Sequence, residues 1–359
     1  MQPRVLQTPV DPDVIDLGIG NPAPELLPLE RLEAAARRFF AQRERDPLQY
    51  GYEPGDGFLR RELAALIQGL TGLETDPEAL LITNGASQGL DLLCSLYTRP
   101  GDIIFVEEPT YFLALRIFAD HHLQPVAVPM DEAGLQIEVL EHLLLQQRTR
   151  LLYTIPTFQN PSGATLSLER RQRLIELSRE YGFLIVADEV YHFLNYETAP
   201  PAPLASFSGQ GSVISLNSFS KILAPGLRLG WLQTDPAHLR QIAGCGLLDS
   251  GGGFNPFTSA IVRWVIESQE LQEHLQQLRQ AAVRLAQSRP RPTAVIATDD
   301  MGAMVLIEQF ATLGISVPED IHIVGFDEQS AALRHGVAGI DGQIHDRLLE
   351  LRWIQPGPP

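Results

Sequence analysis

The sequence predicts an α/β fold in which a mostly parallel sheet is covered by helices on both faces. Three observations lead there. Several short runs are wholly apolar, as strands buried on both faces must be. Stretches with apolar residues at helical spacing alternate with those runs. Chemically specific polar residues gather just after the strands, at the edge where open parallel sheets bind ligands.

In chain order, residues 1–28 read as loop, with Asp16 to Pro22 a small apolar run closed by a turn. A helix is expected from about Leu29 to Arg45. Leu48 to Gly57 is a glycine-rich loop carrying Tyr50 and Tyr52, and it opens a helix from Phe58 to Leu70. In that helix Leu59, Leu63, Leu66, Ile67 and Leu70 recur at helical spacing. Strands are expected at Leu80–Thr83, Ile103–Val106, Gln124–Pro129, Leu151–Pro156, Phe183–Val186 and Val213–Leu216. Helices are expected at Leu90–Tyr97, Glu138–Gln147 and Leu168–Tyr181, and helix-like sequence runs from Phe257 to about Ser288.

The composition narrows the class. The chain has 359 residues, enough for about two or three domains. Its net charge of −17, with no arginine-rich run, argues against a nucleic-acid surface. Cys94 and Cys245 stand in no metal or redox spacing, which suits free thiols in a reducing cytoplasm. The stretch Met1 to Asp16 lacks the apolar core of a signal peptide. No run approaches the roughly 18 apolar residues that would span a membrane. A cytoplasmic chain with no membrane partner is therefore expected.

Of the 27 basic residues, Lys221 is the one lysine. A surface that needs only positive charge accepts either basic residue, whereas lysine can lose its proton and attack a carbonyl carbon. The alternative is chance survival in an arginine-biased composition, and the neighbouring residues decide between the two. Ser87, Tyr111, Asn160, Asp188, Tyr191, Ser218, Ser220 and Lys221 each follow the carboxyl end of an expected strand. Ser87, Ser218 and Ser220 offer hydroxyls, and Arg228 a fixed cation seven residues after the lysine. The Gly85-Ala86-Ser87 turn precedes a helix, so its amides favour an anion. Together these make a phosphate cradle. Asp188 ends an apolar strand and needs a cation or donor; the alternative is an aspartate capping its own loop. Asn160 and Tyr191 can hydrogen-bond a phenolate oxygen, and Tyr111 can stack on a heteroaromatic ring. A phosphate, a stacking ring, a ring nitrogen, a phenolate oxygen and an aldehyde for an amine together describe pyridoxal 5'-phosphate. Asp188 would keep the pyridine nitrogen protonated, and Lys221 would form a Schiff base and later carry a proton.

The order and spacing of these residues resemble a known family. The matching stretches are Gly20-Asn21-Pro22, Gln49-Tyr50-Gly51 with Gly55, Leu59 and Arg60, Thr83 to Gly89, and Glu108-Pro109-Thr110-Tyr111. They continue with Asn160-Pro161-Ser162-Gly163, Asp188-Glu189-Val190-Tyr191, and Ser218 to Lys221 through Arg228 to Trp231. Residues from about Asp16 to Arg284 resemble the class I/II aminotransferases of the type I pyridoxal-phosphate fold, and within them the aminoadipate/kynurenine and aromatic branch. The resemblance implies catalytic roles for Lys221, Asp188 and Tyr191. It implies cofactor contacts from Ala86 (backbone), Ser87, Tyr111, Asn160, Asp188, Tyr191, Ser218, Ser220, Lys221 and Arg228. Gly20 and Asn160 would face the substrate, and no metal is implied. The tyrosine matching Tyr50 reaches the phosphate of the neighbouring subunit, so a homodimer is implied.

Beyond about Arg284 the resemblance stops. The family would supply a small domain of roughly a hundred residues, bearing an arginine for the substrate carboxylate. Arg291 to Glu328 instead resembles a piece of the sugar-binding domain of lactose-repressor-type regulators. Thr298 stands where that family has asparagine, before Asp299, and a complete sugar site cannot be built from the piece. The expected organisation is an N-terminal arm and helix (1–45), a cofactor-binding large domain (46–285), a βαβ segment (286–328) and a tail (329–359). The C-terminal domain is thus atypical, truncated or replaced. Arg334, Arg347 and Arg352 are candidates for the carboxylate clamp. The expected function is a pyridoxal-phosphate-dependent aminotransferase acting on an amino acid and a 2-oxo acid. A cofactor-binding chain impaired by loss of the clamp, and a lyase sharing the same residues, are the alternatives. A sugar-responsive regulator is the weakest idea, because no DNA-binding helix pair is visible at the N-terminus.

Overall fold

The computed structural model describes residues 26–195, 199–210 and 212–287, together with strands at 294–297 and 322–325. Helix α1 (Leu29–Gln42) stops at Arg43, whose left-handed backbone (φ 54°) ends it short of the expected Arg45. Helix α2 (Gly57–Thr71) starts where the Asp56 side chain accepts from the Leu59 N–H at 2.7 Å, and it ends at left-handed Gly72. Then follow β1 (Leu80–Thr83), α3 (Ala86–Tyr97), β2 (Ile103–Glu108), α4 (Phe112–Asp120), β3 (Gln124–Asp131) and β4 (Gly134–Leu135). After these come α5 (Ile137–Gln146), β5 (Leu151–Thr154), α6 (Leu168–Tyr181), β6 (Leu184–Asp188), β7 (Val213–Ser218) and β8 (Gly230–Gln233). The run closes with α7 (Pro236–Ala243), α8 (Gly246–Gly251), α9 (Pro256–Glu267), α10 (Glu270–Gln287), β9 (Ala294–Ala297) and β10 (His322–Gly325).

The main sheet has eight strands in the order β1-β8-β7-β6-β5-β2-β3-β4. Strands β3, β2, β5, β6 and β7 pair in parallel. Strand β8 is antiparallel to both β7 and β1, so β1 runs in the same direction as the central strands. All these parallel strands therefore end at one edge. Strands β1, β5, β6, β7 and β8 are buried at every position, as a sheet covered on both faces requires. Helices α3 and α4 cover one face, with Leu90, Leu93 and Phe118 on Val106, Tyr153 and Val186. Helices α5 and α6 cover the other, with Leu140, Leu174 and Ile175 on Phe105, Leu152 and Ile185. Helices α2 and α9 close the β1–β8 end over Ile82 and Trp231.

Several elements differ from the expectation. Strand β8 was read as part of the lysine segment; it is short, begins at a glycine and follows a left-handed Arg228, so it carries little strand pattern. Helix α4 is apolar at most positions and shows no clear stripe, while α7 and α8 are too short to display one. The helix-like run from Phe257 is two helices, because Gln269 turns left-handed (φ 63°) between α9 and α10. Strands β9 and β10 pair in parallel with each other as a separate two-stranded sheet, and the residues joining them lie outside the described residues. Among the described residues no helix is long and apolar enough to cross a membrane.

One buried cation ties the loops after β5 and β6 to α6. Arg171 is fully buried and donates to the carbonyls of Leu166 (2.8 Å), Ala202 (3.1 Å) and Pro156 (2.6 Å) and to the Thr157 hydroxyl (2.8 Å). Its charge faces Glu189 at 4.0 Å. Glu189 in turn accepts from the backbone of Leu204 and Ala205 and from Ser215. Removing one member leaves a buried charge and several carbonyls unpaired. Arg171→Met is expected to lower unfolding stability by roughly 3–5 kcal/mol, measured by denaturant titration. A loss within the roughly 0.5 kcal/mol typical of surface changes would contradict this role.

Candidate active site

The carboxyl edge of the sheet carries two kinds of chemistry, an anion cradle at the ends of β1 and β7 and a buried carboxylate at the end of β6. The cradle begins with Gly85, the residue capping α3, which has φ 88°. A Cβ there would lie 2.8 Å from Arg228 Nη2, so glycine is needed both for the backbone and for the close approach of the guanidinium. Gly230 is equally constrained, since a Cβ would meet the Asn217 carbonyl oxygen at 2.5 Å and Gly85 Cα at 2.9 Å. Arg228 therefore lies over the first turn of α3, where the amides around Ala86 and Ser87 lack intrahelical partners. Its left-handed backbone (φ 46°) is held by Asn255, whose Nδ2 donates to the carbonyls of Leu227 (3.2 Å) and Arg228 (2.9 Å). Arg228 Nη1 reaches Ser220 Oγ at 3.4 Å, and Ser218 Oγ donates to Ser220 Oγ at 2.9 Å. Two hydroxyls, a guanidinium and a helix N-terminus thus converge, and this donor set suits a phosphate.

Asp188 is the last residue of β6 rather than the first of a loop, and it is buried. Tyr153 stands in β5 opposite Val186, so it shares a face with Asp188 two residues on. Its hydroxyl donates to Asp188 Oδ2 at 2.8 Å. Burial pushes the Asp188 carboxyl up to about 6, against the lowering effects of the Tyr153 hydrogen bond, the Val190 amide and the Lys221 charge. A cationic ring nitrogen beside it would offset that burial and hold it ionised. Lys221 follows β7, and its side chain is exposed, with Nζ 5.8 Å from the centre of the Tyr191 ring. Asn160, in the loop after β5, donates from Nδ2 to Tyr191 Oη at 3.2 Å, while its Oδ1 is buried with no hydrogen-bond partner among the described residues. A buried polar atom left open beside Tyr191 is what a ligand site offers. Tyr111 caps α4, half-buried on the same face.

These donors fit pyridoxal phosphate: a cradle for its phosphate, an amide and a phenol for its ring oxygen, a carboxylate for its ring nitrogen and an amine for its aldehyde. Among the described residues no group of histidines, cysteines and carboxylates could hold a metal. Tyr50 is 86% exposed and contributes nothing to this cluster within its own chain. Gly20, Thr298, Asp299, Arg334, Arg347 and Arg352 lie outside the described residues. Sequence reasoning missed Tyr153, Glu107 and Asn255. Tyr153 is hidden in an apolar strand, Glu107 reads as a strand-end acid, and Asn255 is distant in sequence from the arginine it fixes.

Asp188 is not alone in being pushed up, for Glu107 is raised by burial to about 7. Both folded values exceed the ordinary carboxyl values of 3.8 and 4.5, so the folded chain holds protons that the unfolded chain has already lost. The stability these groups contribute is complete below their ordinary values and is lost as pH rises to the folded ones, between 3.8 and about 6 for Asp188 and between 4.5 and about 7 for Glu107. Melting of the cofactor-free protein is therefore expected to fall across that window, and Asp188→Asn is expected to flatten its lower part. An identical pH slope in the variant would contradict the burial argument.

Comparison with known proteins identifies the family. The family model "Aminotransferase class I and II" matches residues 12–313, so the match runs into the stretch that resembles a repressor domain. The aromatic-amino-acid aminotransferase 1 of Thermococcus litoralis is 38% identical over 235 residues, covering 64% of this chain and 56% of the relative. The chain thus spans little more than half of that relative's length. Among solved structures, the kynurenine aminotransferase of Pyrococcus horikoshii superposes with a TM-score of 0.70 at 33% identity, covering 77% of this chain and 69% of the other. The α-aminoadipate aminotransferase LysN of Thermus thermophilus gives a TM-score of 0.67 at 32% identity, covering 76% and 68%. The matched span and the converging donors lead to one conclusion: the chain belongs to the class I and II aminotransferase family.

Proposed function

We propose that the chain is a pyridoxal-phosphate-dependent aminotransferase, transferring an amino group between an amino acid and a 2-oxo acid. The observation that carries this reading is the sharing of one sheet edge by Lys221, buried Asp188 and the Ser218–Ser220–Arg228 cradle. When bound, the cofactor supplies an aldehyde to bond an amine and a ring that accepts electrons from the substrate's α-carbon. Each protein group has a distinct task beside it. Arg228, Ser218, Ser220 and the first amides of α3 anchor the phosphate. Asp188 would keep a proton on the ring nitrogen, and the Tyr153 hydrogen bond fixes the orientation of its carboxylate. Asn160 and Tyr191 would hold the ring oxygen, and Tyr111 would lie against the ring. Lys221 would offer its amine to the cofactor's aldehyde, and as a free amine it could carry a proton to and from the substrate's α-carbon. Asn160 would also face the substrate. The named relatives favour aromatic amino acids, kynurenine and α-aminoadipate as first substrates to try.

A homodimer belongs to the same reading. Phe40, Tyr50, Tyr52 and Phe58 are 62%, 86%, 78% and 55% exposed, an aromatic surface that favours contact with a second copy. Tyr50 would then reach the partner's cradle.

The test uses the full chain incubated with the cofactor. A visible absorbance band is expected in the wild type and none in Lys221→Ala. Stoichiometric release of a 2-oxo acid is expected on adding a productive amino acid. A band that persists in Lys221→Ala would contradict the reading, as would carbon dioxide or ammonia in place of the 2-oxo acid. Arg228→Met is expected to weaken pyridoxal phosphate binding by roughly 10- to 100-fold, the range of a charge-assisted contact. Pyridoxal, which lacks the phosphate, should bind both forms alike; an equal loss for both ligands would remove Arg228 from the cradle.

A further inference from the structure

Glu107 is buried in the sheet and has no part in the chemistry above. It stands in β2, on the opposite face from Asp188, and is 1% exposed. One of its oxygens accepts from the Thr154 hydroxyl. The other accepts from the Ile155 N–H at 3.0 Å and from Gln159 Nε2 at 3.1 Å. Gln159 is itself fully buried and uses all its side-chain capacity. The same Nε2 donates to the Pro109 carbonyl at 2.8 Å, and Oε1 accepts from Ser162 N (2.8 Å) and Ser162 Oγ (2.6 Å). One amide therefore ties the end of β2, which leads to Tyr111, to the loop that carries Asn160.

That loop needs such a tie. Phe158, two residues before Asn160, has φ 50°, a left-handed conformation uncommon for a bulky residue. A strained residue of this kind persists only where its surroundings over-determine it. Phe158 N–H donates to Thr165 Oγ1 at 3.2 Å and Gln159 N–H to the Ala164 carbonyl at 2.9 Å. The bonds from Glu107 through Gln159 to Ser162 are the side-chain part of those surroundings, and Asn160 lies between the two bonded residues Gln159 and Ser162. We propose that Glu107 is a positioning residue that acts through Gln159 to hold Asn160 toward the cofactor's ring oxygen. The claim rests on the cofactor reading above, and it extends that site inward by two buried side chains.

The chemistry of the carboxyl suggests discriminating variants. Glu107→Gln keeps an oxygen for Ile155 and Gln159 and turns its amide toward the Thr154 hydroxyl, which can accept as well as donate. It preserves the geometry and removes the charge. Glu107→Leu removes both. The measurements are pyridoxal phosphate affinity and, in cofactor-free protein, hydrogen exchange of the Ser162 amide. Glu107→Gln should bind within about 3-fold of wild type, with Ser162 exchange unchanged. Glu107→Leu should lose roughly 10- to 100-fold in affinity, the range of a lost buried hydrogen bond, and speed Ser162 exchange. Gln159→Leu should weaken binding similarly, yet cost less than about 3-fold more in an Asn160→Ala background, because neighbouring effects that act through one residue do not add. This cycle decides alone if Glu107→Leu does not fold. Ser162 exchange unchanged in Glu107→Leu, or equal Gln159→Leu losses in both backgrounds, would overturn the proposal. Wild-type protein that binds no cofactor would instead overturn the functional reading, leaving exchange to decide whether Glu107 holds the loop.

Discussion

A carboxylate at the end of a wholly buried strand must be compensated, and that constraint shapes the site. Asp188 closes β6, where neither face of the sheet is open to water. Tyr153 supplies one hydrogen bond from the neighbouring strand, and Lys221 supplies nearby positive charge. Neither removes the cost of burial, and the carboxyl is still pushed up to about 6. A protonated ring nitrogen beside it would add a further cation. The parallel sheet makes this possible by ending β1, β5, β6 and β7 at one edge, where groups from four strands can reach one ligand.

Two buried polar systems support that edge from the α5–α6 side. Arg171 with Glu189 joins α6 to the loops after β5 and β6. Glu107 with Gln159 joins β2 to the Asn160 loop. Both place ionisable groups where water does not reach, and both satisfy them with several donors or acceptors, as low-dielectric surroundings demand. On the opposite face the packing of α3 and α4 is apolar, and precision there comes from close approach. Gly85 and Gly230 let Arg228 and β8 sit nearer the α3 N-terminus than any side chain would allow.

Much of the site was legible because strand ends announce themselves. A fully apolar run followed by Asp188, or by Ser218 to Lys221, gives both the element and the edge at which its polar residues emerge. The parallel sheet and the helices on both faces followed from that pattern, as did the meeting of Ser218, Ser220 and Arg228 at one edge. What stayed hidden depends on neighbours in space. Tyr153 reads as one more residue of an apolar strand, and only the β5–β6 register gives its hydroxyl a partner. Glu107 and Gln159 are far apart in sequence and meet across the sheet edge. Strand β8 escaped notice because an antiparallel insertion between β1 and β7 leaves no periodic trace in so short a segment. Asn255 fixes Arg228 from the start of α9, a pairing that composition cannot reveal.

Because the sequence holds a single lysine, the covalent site can be tested without ambiguity. The full chain is incubated with one equivalent of pyridoxal phosphate, reduced with borohydride, digested and analysed by mass spectrometry. The site described here requires the reduced cofactor on Lys221, in near-stoichiometric amount. Label confined to the N-terminal amine, or no label at all, would contradict it.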